Sequence, residues 1–309
     1  MRGCTTSGYK KKNCFSEKVG LLLGLVIFQN TYSLTFELPN AENNIIGEIQ
    51  SIKMSKSASI AQIAREYDIG YQELLDANPD LQDNKPRSGM RVVIPSAFIL
   101  PPAPREGIVI NIAELRLYFF MPKENMIMTY PIGIGREGWE TPLAESIVAS
   151  KETSPSWVVP ESIRGFMLET TGRELPDIIP PGPDNPLGDY AIHLALAGYL
   201  IHGTNQPSSI GKRSSSGCIR MYPEDIAELF PYVSIGVPVT IIHAPFKLGW
   251  FSHEIYFEAH RPLPEYGTQT LIDILNPAIN QINVSINWDQ LETAVKQVVG
   301  YPILIGKRN

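Results

Sequence analysis

Apolar positions recur along the chain with three different periods, and each predicts a different kind of structure. Val19 to Phe28, "VGLLLGLVIF", is an unbroken apolar run of ten residues. It is too short for an ordinary membrane-spanning helix, which needs roughly 20 apolar residues. Between residues 45 and 95 the period changes twice. "NIIGEIQSI" (Asn44 to Ile52) predicts a short strand. "SIAQIAREY" then places Ile60, Ile63, Ala64 and Tyr67 on one helical face, and Ser59 followed by Gln62 makes a capping box. A second helix opens at Gly70 with Glu73 at its third position, and Ile69 is placed to staple onto Leu74. Pro79 disfavours helix in the residue before it, so "ANP" (Ala77 to Pro79) ends this helix. "GMRVVIP" supplies a closing strand that stops at Pro95. The order is strand, helix, helix, strand, a small α+β unit with too little mass to bury a large core alone.

Past "PPAPREG" (Pro101 to Gly107), a linker stiffened by proline, the period becomes two. "IVINI", "LRLYFF", "MIMTYPIGIG", "YAIHLAL", "YLIHG" and "PVTIIH" are rich in β-branched and aromatic residues and predict a mainly β domain over residues 108–243. Ser154 to Gly188 interrupts it with little periodicity and many prolines; long loops of this kind are functional lids or disordered segments. Residues 244–309 form a C-terminal extension. There "NWDQLETAVKQVVG" predicts an amphipathic helix from an N-cap at Asn287, with Gln290 at the third position, to Gly300.

Charge and cysteine usage change what the apolar run means. Arg2, Lys10, Lys11, Lys12 and Lys18 lead up to it, and the small residues Thr31 and Ser33 follow it two apart. This is the layout of a secretory signal peptide over residues 1–33, cleaved after Ser33; an uncleaved inner-membrane anchor is the alternative. No cysteine directly follows the run, which argues against a lipoprotein. Removal of residues 1–33 takes five basic residues and one acidic residue from a chain of net charge −6, leaving −10. An acidic body argues against nucleic acid as a partner. Cys4 and Cys14 leave with the leader, so Cys218 is the lone cysteine of the remainder. In an oxidising compartment a lone thiol is either buried and inert or retained for its reactivity.

"IHGTNQPSSIGKRSSSGCIRM" (Ile201 to Met221) favours reactivity. A thiol becomes a nucleophile when a base takes its proton and backbone donors can hold the oxyanion that forms. His202 ends an apolar strand, Cys218 follows sixteen positions later, and Gly203 and Gly217 let backbone approach a substrate closely. Arg220 lies two residues past the cysteine, on the same side if that segment is extended, where it favours a thiolate or holds a carboxylate. Metal chemistry fails on count: His193 and His202 are nine apart, no HExxH or CxxC exists, and His193 reads as a strand histidine. No GxSxG serine-hydrolase elbow is present.

"SASIAQIAREYDIGYQELLDANPDL" with "GMRVVIP" resembles a LysM module over residues 45–96, and "IHGTN" with "SSSGCIRM" resembles the active-site signature of the L,D-transpeptidases of the YkuD type. "GIVINIAELRLYFF", "PIGIG" and "PPGPDNPLG" are similar to the periplasmic members that join outer-membrane lipoprotein to peptidoglycan. The resemblance implies a YkuD-like mixed β-sandwich beside a βααβ module that binds glycan. It implies acylation of Cys218, His202 as its base, Arg220 organising the site, and Gly217 and Ser216 as part of the catalytic loop. Gly203, Ser215, Tyr190 and Asn185 are the substrate-binding candidates. Ser216 stands where many members carry a second histidine. The implied reaction passes the third residue of a tetrapeptide stem to an amine, releasing D-Ala, with no cofactor and no metal. The acceptor implied is a lysine of an outer-membrane lipoprotein or another envelope protein, in the periplasm. Direct stem-to-stem cross-linking, trimming by hydrolysis and a non-catalytic wall-binding protein remain the alternatives.

Overall fold

The period-two segments pair into one nine-stranded sheet in the computed structural model, which describes residues 34–40, 42–81, 86–267, 270–271, 273–275 and 284–308. The expected leader, residues 1–33, lies outside the described residues. Strand order across the sheet is Leu34–Glu37, Met126–Pro131, Arg116–Met121, Gly107–Asn111, Pro238–Ile242, Ala144–Thr153, Tyr190–Leu194, Leu200–His202, Ile219–Arg220. It is mixed: Gly107–Asn111 runs parallel to Pro238–Ile242, and Leu200–His202 parallel to Ile219–Arg220. Successive side chains leave a strand on opposite faces. Ile108, Ile110, Leu117 and Phe119 therefore join a core with Ile201, Ile219 and Ile226, while Val109, Tyr118, Phe120 and Ile127 face the other way.

That second face is where the small α+β unit sits. Ile46, Ile63, Leu74, Val92, Ile94 and Phe98 share one buried cluster with Val109, Tyr118 and Phe120. The unit has no private core, as its size requires. Its helices form where expected. Ser59 Oγ accepts from the Gln62 amide at 3.1 Å and Gln62 Oε1 from the Ser59 amide at 2.8 Å, capping the helix Ile60–Glu66. Glu73 Oε2 accepts from the Gly70 amide at 2.9 Å at the head of the helix Tyr71–Asp76. The single strand predicted from "NIIGEIQSI" is instead two. Gly47, at φ +74°, breaks it, so Ile45–Gly47 pairs with Ala97–Ile99 and Gln50–Lys53 with Arg91–Ile94. Gly211, between His202 and Cys218, touches the head of the second helix: a Cβ there would lie 2.1 Å from the Tyr71 amide nitrogen.

Two further elements differ from the pattern. Ala144–Thr153 is the longest strand of the sheet, yet "AESIVASKET" carries few large apolar residues, and of its ten positions Val148 alone is buried. The proline-rich stretch 154–188 holds an eleven-residue helix, Glu161–Thr171, closed by Gly172 at φ +69°. None of its side chains is buried, because Ile163, Phe166 and Met167 face a cavity rather than a core. A helix without a buried stripe leaves no clear 3.6-residue signal.

The C-terminal extension makes a second sheet, ordered Phe246–Phe251, Glu254–Ala259, Ile303–Arg308, Val284–Ile286. The expected helix covers it over Trp288–Gln297, with Asn287 Oδ1 accepting from the Gln290 amide at 3.1 Å. It ends three residues before Gly300, because Val298 already adopts φ +50°. Leu291 and Ala294 pack on Ile255, Phe257 and Ile305. Among the described residues no helix is long and apolar enough to cross a membrane.

A buried ionic network joins this extension to the larger sheet. Lys247 Nζ bonds Glu114 Oε1 at 2.7 Å, Glu258 Oε1 at 2.8 Å and the Ile99 carbonyl at 2.6 Å. His260 Nε2 meets Glu258 Oε1 at 2.7 Å, and the Ile99 amide donates to Glu258 Oε2 at 2.6 Å. Glu114, Glu258 and His260 are close enough together to hold a metal ion. Lys247 bonds both carboxylates, so the cation at that point is an ammonium.

Candidate active site

The parallel pair Leu200–His202 and Ile219–Arg220 sets His202 beside Arg220 and Ile201 beside Ile219. Alternation puts Cys218 on the side of Arg220 and Leu200 on the side of His202. Cys218, His202 and Arg220 accordingly line one cavity of about 550 Å³, with Trp157, Leu187 and Leu200 among its walls. A second cavity of about 640 Å³ shares Trp157, Ile163, Pro186, Ser216 and Arg220 with the first and is roofed by Phe166 and Met167.

His202 is 3% exposed, and its Nδ1 lies 2.7 Å from the Gly203 carbonyl oxygen. A carbonyl only accepts, so Nδ1 carries the proton and Nε2 the lone pair. Burial, with the Arg220 guanidinium nearby, pushes the imidazole pKa down to about 4 against the pull of the Gly203 and Leu187 carbonyls. His202 is thus a neutral base at pH 7. The acid limb of the kcat/KM profile is expected to have its midpoint near pH 4 instead of near 6.5. The sign for stability follows: below its ordinary pKa the unfolded imidazole takes a proton that the folded one refuses. Stability drawn from His202 is full above about 6.5 and is lost as pH falls towards 4. A kcat/KM profile together with denaturant midpoints from pH 4 to 7.5 checks both; an acid limb at 6.5 would contradict the assignment.

Burial raises the Cys218 thiol pKa, while the Leu200 backbone N–H and Arg220 pull it down. The resting pair is a neutral thiol and a neutral imidazole, and the proton moves only as the sulfur attacks. Cys218 Sγ meanwhile contacts the Gly198 carbonyl at 3.6 Å. Its loop is held from below: Ser215 Oγ donates to the Cys218 carbonyl at 2.5 Å and accepts from the Gly217 amide at 3.2 Å. Thr141 Oγ1 donates to the Gly217 carbonyl at 2.7 Å. Gly217 has φ +106°, a conformation that excludes side chains.

The sequence expectations divide as follows. Cys218, His202, Arg220 and Ser216 meet at the cavities. Ser216 Oγ accepts from Arg136 Nη1 at 3.1 Å, and the Arg136 guanidinium lies over the rings of Trp139 and Phe166 at 4.9 and 4.6 Å. Where a second histidine was the family pattern, Ser216 ties the cysteine loop to the overlying helix. Gly217 shapes the loop, and its N–H donates to Ser215 Oγ at 3.2 Å. Arg220 Nε is buried without a hydrogen-bond partner, an available donor beside the sulfur.

The substrate-binding candidates lie at the cavity or behind it, and Ser215 lines it. Gly203 orients His202 through its carbonyl and sits under Ile226. Ser215, 1% exposed, braces the cysteine loop. Tyr190 packs into the core against Phe230, with ring centroids 4.8 Å apart. Asn185 is fully buried: its Nδ2 donates to the Pro155 carbonyl at 2.8 Å and its Oδ1 accepts from Leu187 at 2.9 Å, fixing the proline-rich stretch. Sequence reasoning missed Arg136, Trp157, Glu152 and the place of His193. His193 Nε2 lies 3.5 Å from Glu152 Oε2, and both line the cysteine cavity. A signal for His193 existed, since it alternates with buried Ile192 and Leu194 and so must face away from the core.

Comparison with known proteins bears on this arrangement. Residues 105–241 match the L,D-transpeptidase catalytic domain (YkuD), and residues 59–95 the LysM domain. The chain is 43% identical over 237 residues to the L,D-transpeptidase YcfS of Escherichia coli, covering 75% of this chain and 74% of that protein. It is 34% identical to ErfK/SrfK of the same organism over 88% of this chain and 91% of the relative. It is also 34% identical to YbiS, over 88% and 92%.

Proposed function

The chain belongs to the L,D-transpeptidase family, and from that premise we propose that Cys218 is the acylated nucleophile, His202 its base and Arg220 the group that meets developing negative charge. It is a cysteine acyltransferase of the cell wall carrying a LysM module. The observation that carries the assignment of roles is the shared cavity in which a neutral base, a thiol and an unpartnered guanidinium donor converge. His202 Nε2 takes the Cys218 proton as sulfur attacks the carbonyl of the third residue of a tetrapeptide stem. Arg220 Nε is placed to donate to the oxyanion. Collapse releases D-Ala, whose amine leaves with the proton held by His202. An acceptor amine then attacks the thioester, His202 takes its proton, and that proton returns to the sulfur. The thioester retains the acyl energy of the broken peptide bond, so no external energy source is required.

Charge around the cavities supports directions for the two substrates. Arg136 and Arg173, with Asp184, line one cavity beside Arg220, which both cavities share, a setting for the carboxylates of the donor stem. Glu152 and His193 line the other, a setting for an ammonium. This favours a lysine side chain of an envelope protein as acceptor, with the LysM module holding the glycan and the enzyme exported to the periplasm after cleavage at Ser33. The acyl-enzyme, offered a lysine-ended peptide and a second stem in equal amounts, is expected to give at least about tenfold more lysine product, equivalent to a 1.4 kcal/mol difference in barrier. Predominant stem dimers would reassign the acceptor. Free tripeptide in the presence of either amine would make the protein a hydrolase.

A further inference from the structure

Two buried carboxyls far from the cysteine lack a cation of their own. Asp68, between the helices Ile60–Glu66 and Tyr71–Asp76, is 7% exposed; Asp225, in the helix Pro223–Leu229, is 1% exposed. Asp68 Oδ1 and Asp225 Oδ2 are both buried with no donor. The surrounding cations are engaged elsewhere. Arg116 forks onto Glu73 at 2.8 and 3.2 Å, and Arg65 onto Glu224 at 2.6 and 2.8 Å. Glu228 adds a further negative charge near Asp225. Burial raises the pKa of both aspartates, Asp68 to about 8 even with Arg116 nearby. The two carboxyls hydrogen-bond to each other, so a proton holds the pair where a cation of its own is missing.

One donor already points into it. The backbone nitrogen of Leu34 lies 3.2 Å from Asp68 Oδ2. Leu34 opens the edge strand that pairs with Met126–Thr129, so its position is fixed by the sheet. Ser33, immediately before it, is the residue after which the leader is expected to be cut. We propose that Asp68 and Asp225 form a binding site for a primary ammonium, and that its occupant is the α-ammonium of Leu34, created when the leader is cut after Ser33. Hydrolysis of the Ser33–Leu34 peptide bond leaves the Ser33 carboxylate on the leader and turns the Leu34 amide into a charged group. The nitrogen need not move: a single neutral donor becomes a cation with three N–H bonds beside Asp68, and its charge takes over from the proton that links Asp68 to Asp225.

The ion pair joins three parts of the fold: the edge strand, the helix pair around Asp68, and the helix of Asp225. Ile226, next to Asp225, packs under Gly203, whose carbonyl orients His202. Processing therefore completes a support behind the catalytic strand, and the chain gains it only once severed from its leader.

The test compares the chain beginning at Leu34 with the same chain carrying Gly-Ser ahead of Leu34; both keep every described residue of the fold. The pH dependence of α-amine acylation, read by mass spectrometry of the N-terminal peptide, is expected to have its midpoint at least one unit above the ordinary value of about 7.7–8.0. That is about fivefold protection at pH 8, approaching about tenfold below pH 7. The authentic chain is expected to unfold at higher denaturant than the extended one, and Asp68→Asn to remove both differences. An α-amine that titrates at the ordinary value, an extended chain of equal stability, or exported protein whose first residue is not Leu34 would each overturn the proposal.

Discussion

Cys218→Ala is expected to abolish the acyl-enzyme and to lower transpeptidation by at least about 10⁴-fold, the scale on which nucleophile deletions act. In intact-protein mass spectra after mixing with a disaccharide-tetrapeptide, the parent chain gains the mass of the substrate minus D-Ala and the variant gains nothing. The size of the effect follows from the site. His202 is a neutral base oriented by Gly203, and Arg220 a donor without a partner; neither has anything to activate once the sulfur is gone. The fold loses little. Cys218 is partly exposed, and its side chain makes only a long contact to the Gly198 carbonyl and one to the Leu200 backbone N–H. The change in stability is expected to stay below about 1 kcal/mol, and glycan binding to be unaltered. A variant that still released D-Ala would remove Cys218 from the mechanism. A variant that kept the full cellular phenotype would point to a wall-binding protein.

Sequence period and turn chemistry made much of this architecture legible, and the limits were physical. The helices after Ser59 and Gly70 and the helix after Asn287 were readable because each N-cap bond is local, made within three residues. The strand Arg116–Met121 was readable from its aromatic density. Ala144–Thr153 was not, because its partners rather than its own apolar content hold it in the sheet. At the site, residue type identified Cys218 and His202. It could not show that Gly203 contributes its carbonyl and not an open approach, or that the Gly217 N–H donates to Ser215. Backbone roles of that kind leave no trace in side-chain chemistry. The places of Asn185 and Tyr190 were hidden for a related reason: both are polar residues close to the site in sequence, and only packing shows that Asn185 is buried and Tyr190 lies against the core.

The same gap concealed what the C-terminal extension does, and here the expected effect on stability is largest. Lys247→Met is expected to destabilise the chain by about 3–5 kcal/mol, the cost of leaving a buried charge without its partner. Lys247 is 2% exposed and stands between Glu114 and Glu258, both fully buried in their side chains. Methionine fills much the same space, so packing changes little and the loss is electrostatic. Burial alone would raise the Glu114 pKa, but Lys247 and His260 beside it bring it below the usual carboxylate range. Stability from Glu114 is therefore present above its ordinary pKa and is lost as pH falls through the lowered one. Without Lys247 that pKa rises, the carboxyl takes a proton more readily, and the penalty is greatest at neutral pH and shrinks in acid. Adding Glu258→Gln to Lys247→Met removes one of the two orphaned charges and is expected to restore part of the loss, a coupling that a double-mutant cycle measures. The network ties Ile99 and the strands Phe246–Phe251 and Glu254–Ala259 to the turn at Glu114, between two strands of the nine-stranded sheet. Denaturant unfolding that showed less than about 1 kcal/mol of loss would mean that the extension is held by its apolar contacts, leaving the ionic network a bystander.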